Sequence, residues 1–332
     1  MEWVRPLSGV TLVVPFYHMV GDAYVPHVSN LYQFRTMAEF TADIEFFVRH
    51  FEPVTLNDIV VALNGGRSLP RSCFHLTFDD GFREMHEVVA PMLRGAGISA
   101  TFFLTTKFLD GGGLAHHNEI SLLLDRIEAQ PPNATTTGRL EPLLPAVQNA
   151  ALRDRMLAIP YADRANVRSM ADILEVDIDG YVRDKQPHMS SEQVKDLIRQ
   201  GFAIGGHSHD HPLYSRLSLD DQLGQTRTCM EILDAKFGFQ PKAFAFPHND
   251  DGVGEEFFRP LFSGRSLDVS FGTSGFVAHQ QPRNIERATM EKTSAPADRI
   301  LTRQFARAAY HRLRSRGRAE VAAKPKAVPG SR

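Results

Sequence analysis

Cys73-Phe74-His75-Leu76-Thr77-Phe78-Asp79-Asp80-Gly81 sets an apolar run directly against two carboxylates and a glycine. Residues 73–78 are short, mostly apolar and β-prone, which predicts a buried strand rather than a helix. Asp79 and Asp80 could not face one side of a continuing strand. At a strand end leading into Gly81, both can turn toward a common cavity. Asp-Asp-Gly alone also suits a hairpin turn, so the surroundings decide what it does.

Outward from this stretch, strand-like and helix-like segments alternate. Thr11 to Phe16 reads as a buried strand, Thr36 to Phe51 as an amphipathic helix, and Pro53 to Leu56 as a short strand. A helix is expected from Arg83 to Leu93, closed by Gly95 and Gly97, with a strand at Ala100 to Leu104. Further on come a capped helix from Ser190 to Gln200, a strand at Phe202 to Ile204, and a long helix from Ser218 to Phe237. Strand Ala243 to Phe246, a helix near Glu255 to Leu261 and strand Asp268 to Gly272 complete the alternation. This order predicts parallel strands with helices outside, either an α/β barrel or a doubly wound sheet.

Residues 110–188 break the rhythm with Gly111-Gly112-Gly113, a polar stretch from Pro131 to Gly138, and helical patterns at Ile120 to Ile127 and Val147 to Leu157. That is too long for a plain loop, and it is expected to be a helical insertion at the rim. A helix is also predicted over Ala297 to Arg314, with Ile300, Leu301, Phe305, Ala308 and Leu313 on one stripe, followed by a loose tail from Ala319 to Arg332. Three segments follow: a catalytic unit over 8–295, the insertion within it, and a basic C-terminal helix and tail over 296–332.

The second chemical stretch is His207-Ser208-His209-Asp210-His211, just after the strand-like Phe202-Ala203-Ile204. Two imidazoles four positions apart fit one helical face or a compact loop, and Pro212 argues against the helix. Either stretch alone is ambiguous. Together they offer one carboxylate and two imidazoles, three metal ligands with a free position, plus a spare carboxylate to move protons.

At 332 residues with net charge −2, the composition suggests neither disorder nor wholesale nucleic-acid binding. The two cysteines, Cys73 and Cys229, cannot make a secreted-type disulfide framework. The N-terminal residues lack a signal-peptide pattern and no apolar run reaches ~18–20 residues, so a cytoplasmic protein is expected. From Arg303 to Arg332 nine Lys/Arg face only Glu320. This suits a solvated helix end or, alternatively, peripheral contact with anionic lipid.

Thr77-Phe78-Asp79-Asp80-Gly81 and His207-Ser208-His209-Asp210-His211 resemble the first two signature motifs of the polysaccharide deacetylases, carbohydrate esterase family four. Pro15-Phe16-Tyr17-His18, Phe51 to Leu56 and Met189 to Gly201 resemble the family's flanking segments. The resemblance implies a distorted (β/α) barrel that removes N- or O-acetyl groups from sugars. It implies Asp80, His207 and His211 as metal ligands, Asp79 as general base, and Ser208 as a hydroxyl steadying the histidine loop. The metal would be Zn²⁺, with Co²⁺, Ni²⁺, Mn²⁺ or Fe²⁺ also suited to the donor set.

The family's third motif corresponds to Phe244-Ala245-Phe246-Pro247-His248, which makes Pro247 and His248 candidate substrate contacts and the His248 N–H a candidate oxyanion donor. The motif's usual arginine is replaced by Ala245, leaving Arg287 or Arg283 to brace Asp79. The late Leu-x-His is absent, so His18, His248 or His279 is expected to protonate the leaving group. His116 and His117 read as a polar helix start, and His27 and His188 as candidates for a sugar-binding rim. The expected substrate is an acetylated sugar or polysaccharide precursor. An amidase acting on a non-sugar amide and a glycan-binding pseudoenzyme are the alternatives.

Overall fold

The computed structural model describes residues 3–277, 279–291 and 293–323, with residues 315–323 described by backbone alone. Its strands are β1 (Leu12–Val13), β2 (Pro15–Tyr17), β3 (Glu52–Pro53), β4 (Cys73–Phe74), β5 (Leu76–Phe78), β6 (Ala100–Leu104), β7 (Ala203–Gly206), β8 (Ala243–Ala245), β9 (Val269–Gly272), β10 (Asn284–Glu286) and β11 (Ala288–Thr289). Eight of them form one parallel sheet in the order β10-β9-β8-β7-β6-β5-β2-β11. A small sheet, β1-β4-β3, extends the base.

The two edge strands of the large sheet are consecutive in the chain, with only Arg287 between them. One extended segment therefore pairs with β9 through its first half and with β2 through its second. The sheet curls into a nearly closed (β/α) barrel whose seam is Arg287. This resolves the choice between barrel and open sheet.

Side-chain alternation sorts the layers. Phe102, Leu104, Phe244 and Phe78 pack outward against the helices, within the largest apolar cluster. Phe103, Ala245 and Phe271 belong to a smaller cluster on the other face, inside the barrel. The surrounding helices start at points the sequence marks. Capping boxes at Thr36–Glu39, Thr55–Asp58 and Ser190–Gln193 satisfy free N–H groups at three of those starts. Leu56 opens the helix Leu56–Leu63 instead of ending a strand, because Thr55 and Asp58 form that cap.

The break in the α/β rhythm is a set of helices: His116–Ala129, Ala134–Leu140, Leu152–Leu157, Arg164–Leu174 and Ile178–Lys185. They share an apolar cluster of their own, including Ile120, Leu123, Val167 and Met170. The polar stretch 131–138 is partly helical, since Asn133 caps Ala134–Leu140 through Thr136 N–H. Asn118 and Ser121 bind the backbone carbonyls of His27 and Pro26 at 2.8 and 2.6 Å, fastening this unit to the barrel's first loop.

The C-terminal helix runs from Ala297 to Ala323, so residues 319–323 are helical rather than a loose tail. Residues 324–332 of that expected tail lie outside the described residues. Leu301, Phe305 and Ala308 are buried, whereas Leu313 is exposed and leaves the stripe. Among the described residues no helix is long and apolar enough to cross a membrane.

Candidate functional site

The C-terminal ends of β5, β7 and β8 bring the two chemical stretches together. Asp79 still follows the ladder, its N–H donating to the Tyr17 carbonyl at 2.9 Å. Thr77 and Asp79 share the inward parity of the strand. Asp80 then turns at φ 69° and Gly81 at φ 76°, so the second carboxylate swings to the same cavity. A Cβ at Gly81 would stand 3.0 Å from the Leu104 Cδ2, so both its φ and its neighbour favour glycine.

On the facing loop, Ser208 and His211 also hold positive φ, 63° and 66°, as does His248 at 60°. Non-glycine residues in this region carry strain that only surrounding structure can hold, and Asp80, Ser208, His211 and His248, four of the nine such residues among those described, belong to the loops around this cleft. The supports are visible. The Ser208 hydroxyl accepts the His211 N–H at 2.9 Å, and Gln225 Oε1 accepts the His209 and Asp210 N–H groups at 3.1 Å each. Gln225 and Lys107 also reach the Asp210 carboxylate, as does Tyr161 from the helical unit.

Asp80 Oδ1 lies 3.4 Å from His207 Nε2 and 3.1 Å from His211 Nε2. His207 Nδ1 faces the Ala245 carbonyl at 2.9 Å, which assigns its proton to Nδ1 and leaves the Nε2 lone pair toward Asp80. Asp80 Oδ1 and His207 Nε2 are buried and lack hydrogen-bond partners among the described residues. Three donor atoms thus converge, two of them without a partner among the described residues, an arrangement that could hold a cation. Burial pushes the Asp80 carboxyl up, but His211 and the contacts with both imidazoles hold it well below its ordinary value.

Arg287 grips Asp79 through both oxygens, at 2.7 and 2.8 Å. Both side chains are essentially buried, and the guanidinium lies 4.6 Å over the Phe16 ring inside the barrel. Burial raises the Asp79 carboxyl, while the Arg287 charge, with His207, outweighs it and holds the group below its usual range. Arg283 instead reaches Asn64 on the outside. Arg287, not Arg283, therefore occupies the position beside Asp79.

Across the cleft, His18 Nδ1 meets Glu291 Oε2 at 2.6 Å, and the N–H groups of His18 and Met19 donate to the same carboxylate at 2.8–2.9 Å. Burial alone would lower the His18 pKa. Glu291, helped by Asp80 and Asp79, raises it to about 9. The cleft of about 330 Å³ between these groups is lined by Asp79, Asp80, His211, His18, His117 and His248, among others.

A sequence profile described as Polysaccharide deacetylase matches residues 66–132 and 158–252, spanning both chemical stretches. The chain belongs to the polysaccharide deacetylase family. No curated protein sequence matches it. Among solved structures, the Streptococcus pyogenes deacetylase PplD in complex with acetate is similar at TM-score 0.56 and 13% identity, covering 90% of this chain and 99% of its own. IcaB from Ammonifex degensii is similar at TM-score 0.55 and 15% identity, with 90% and 97% covered. A de-N-acetylase from Aggregatibacter actinomycetemcomitans gives 0.52 and 14%, with 88% and 99% covered. At these identities the likeness is one of fold.

The remaining histidines separate cleanly within this deacetylase. His248 lies beside His211 at the cleft, ring centroids 4.6 Å apart. His279 sits elsewhere, next to Asp250. His116 is buried and bonded to the Ile159 carbonyl, whereas His117, also at the helix start, reaches the cleft wall. His27 and His188 do not form a rim. Both are buried beneath the helical unit, and burial lowers their pKa values to about 3 and 4. Ser208 is wholly buried and supports the loop from behind, while Pro247 is buried between Phe246 and His248. Glu291 and Gln225 escaped sequence reasoning. Neither stands in a recognisable spacing, and each acts through a contact hundreds or tens of positions away only in the fold.

Proposed function

We propose that this deacetylase is metal-dependent and hydrolyses the acetamide of an N-acetylated sugar, with Asp80, His207 and His211 holding the ion. The observation that carries this reading is the convergence of Asp80 Oδ1 with two imidazole Nε2 atoms beside an Arg-gripped Asp79. When bound, a divalent ion supplies Lewis acidity toward water and the acetyl carbonyl. Two imidazoles and a carboxylate suit Zn²⁺ first, with Co²⁺, Ni²⁺, Mn²⁺ or Fe²⁺ as alternatives.

Asp79 serves as general base. Arg287 keeps it ionised and oriented, and each carboxylate oxygen retains a lone pair to take the proton of the attacking water. The water oxygen bonds to the acetyl carbon. In this reading the His248 N–H, which has no acceptor among the described residues, donates to the developing oxyanion. As the carbon–nitrogen bond breaks, protonated His18 gives its proton to the leaving nitrogen, and acetate and a free amine result. Glu291 keeps His18 charged at neutral pH for that task.

Residues 8–295 act as the catalytic unit, with 110–188 shaping the cleft wall through His117 and Asn118 and gripping the histidine loop through Tyr161. Residues 296–332 carry the basic excess of the C-terminal segment. Chelator-treated protein, re-supplied with Zn²⁺ or Co²⁺ and assayed for acetate release from chitooligosaccharides, peptidoglycan fragments and small amides, tests the reading. Release restored by metal from sugars and abolished by Asp79→Asn supports it. Equal release with and without metal, or release from small amides alone, defeats it.

A further inference from the structure

Asp250, His279 and Glu286 form a second convergence outside the cleft, their donor atoms all within 4.8 Å of one another. They come from the loop after β8, the segment after β9 and the end of β10. Asp250 is 4% exposed, and its Oδ1 is buried with no hydrogen-bond partner among the described residues. Its Oδ2 accepts from Asn284 Nδ2 at 2.7 Å and lies 3.6 Å from His279 Nε2. Glu286 Oε2 accepts the Ser274 N–H at 2.6 Å.

Gly272 shows where these carboxylates point. A Cβ there would meet Asp250 Oδ2 and Glu286 Oε2 at 2.5 Å and Asp250 Oδ1 at 2.6 Å. Two carboxylates therefore converge on a space that exists because residue 272 has no side chain. Such crowding is costly without a cation or a shared proton.

We propose that Asp250, Glu286 and His279 form a second divalent-cation site, separate from the cluster at Asp80. Two carboxylates and an imidazole favour a first-row transition ion such as Mn²⁺ or Zn²⁺ over Ca²⁺ or Mg²⁺. The position gives the ion a structural task. Asp250 lies two residues beyond His248, and Glu286 immediately precedes Arg287. An ion there ties the His248 loop to the segment that closes the barrel and grips Asp79. The site needs nothing from the catalytic reading and can fail separately from it.

The test counts metal in full-length protein, stripped with chelator and dialysed against Mn²⁺ or Zn²⁺ in parallel. The Asp80→Ala/His207→Ala double variant is expected to retain one ion per chain and to gain thermal stability when metal is added. Introducing Asp250→Asn and Glu286→Gln into it should remove that ion and the gain. Glu286→Gln still offers an oxygen to the Ser274 N–H, and circular dichroism verifies folding. If the first variant proves unfolded, the intact chain and its Asp250→Asn/Glu286→Gln form are compared, with two ions expected against one. Metal content unaffected by Asp250→Asn/Glu286→Gln, or one ion only in the intact chain with that ion lost on Asp80→Ala, overturns the second site. Either result leaves a proton shared between the two carboxylates as the explanation of their closeness.

Discussion

Arg287→Met removes one partner from a pair that is sealed from water. The guanidinium and the Asp79 carboxylate are 0% and 2% exposed and joined by two charge-assisted bonds of 2.7 and 2.8 Å. Methionine keeps much of the stem that packs near Phe16 and Phe103, so lost volume is a minor part of the effect. The dominant cost is a buried carboxylate left without its counter-charge, about 3–5 kcal/mol. In the native protein the Asp79 pKa lies below its unfolded value. Its contribution to stability is therefore present above the unfolded pKa and lost as pH falls through the folded one. Without Arg287, burial acts with less opposition and the shift turns upward. The variant should then be most destabilised at neutral pH, and the deficit should shrink on acidification.

The same change reaches catalysis, because only the ionised carboxylate can take a proton. The acidic limb of kcat/KM should move to higher pH in Arg287→Met. Urea unfolding at several pH values and the pH profile of acetate release measure the two consequences. Asp79→Asn/Arg287→Met supplies the control. With no charge left to strand, it should recover at least half the stability lost by Arg287→Met while remaining inactive. A stability loss under about 1 kcal/mol, below the range for a broken buried pair, together with an unmoved acidic limb, would refute the reasoning.

The other predictions concern the facing groups. Glu291→Gln removes what holds His18 near 9, so the alkaline limb of kcat/KM should fall toward or below neutrality. Because His18 is raised in the folded protein, its stabilisation is complete below its unfolded pKa and disappears as pH climbs through about 9. The variant should therefore lose stability chiefly below that range, which melting curves across pH will show. His18→Gln should lower kcat by ~10²–10⁴ with a smaller effect on KM, within the range for a missing general acid. Asp80→Ala should remove one bound ion per chain by elemental analysis and abolish acetate release. Gly81→Ala, forced to φ 76° against Leu104, should cost roughly 1–2 kcal/mol and weaken metal retention by displacing Asp80.

The sequence carried the strands that bear chemistry because their signals are local. Cys73–Phe78 is apolar and ends in charge, and the helices that follow begin at capping residues. Asp79, Asp80, His207 and His211 were legible for the same reason, each pair lying within one short stretch. What lay beyond reach was pairing across distance. Nothing near Arg287 announces that its neighbours Asn284–Glu286 and Ala288–Thr289 join opposite edges of one sheet. Glu291 becomes a partner of His18 only once that sheet has curled. His27 and His188 misled for the converse reason, since polarity suggested a surface and the helical unit buries them.

Barrel closure and the chemistry of the site meet in one residue. A sheet with free edges needs a final strand that pairs on both sides, and here the segment around Arg287 does so by changing partner midway. At the change of partner, the Arg287 N–H and Nε both donate to the Gly272 carbonyl, at 3.2 and 3.1 Å. Its remaining nitrogens turn inward to Thr77 and Asp79. A seam that opened would withdraw the counter-charge from Asp79, and a loss of that charge would leave the seam without its inward anchor. Closure of the seam and the ionisation of Asp79 are thus coupled through Arg287. Stability and the acidic limb of activity should therefore change together along any series of substitutions at the seam.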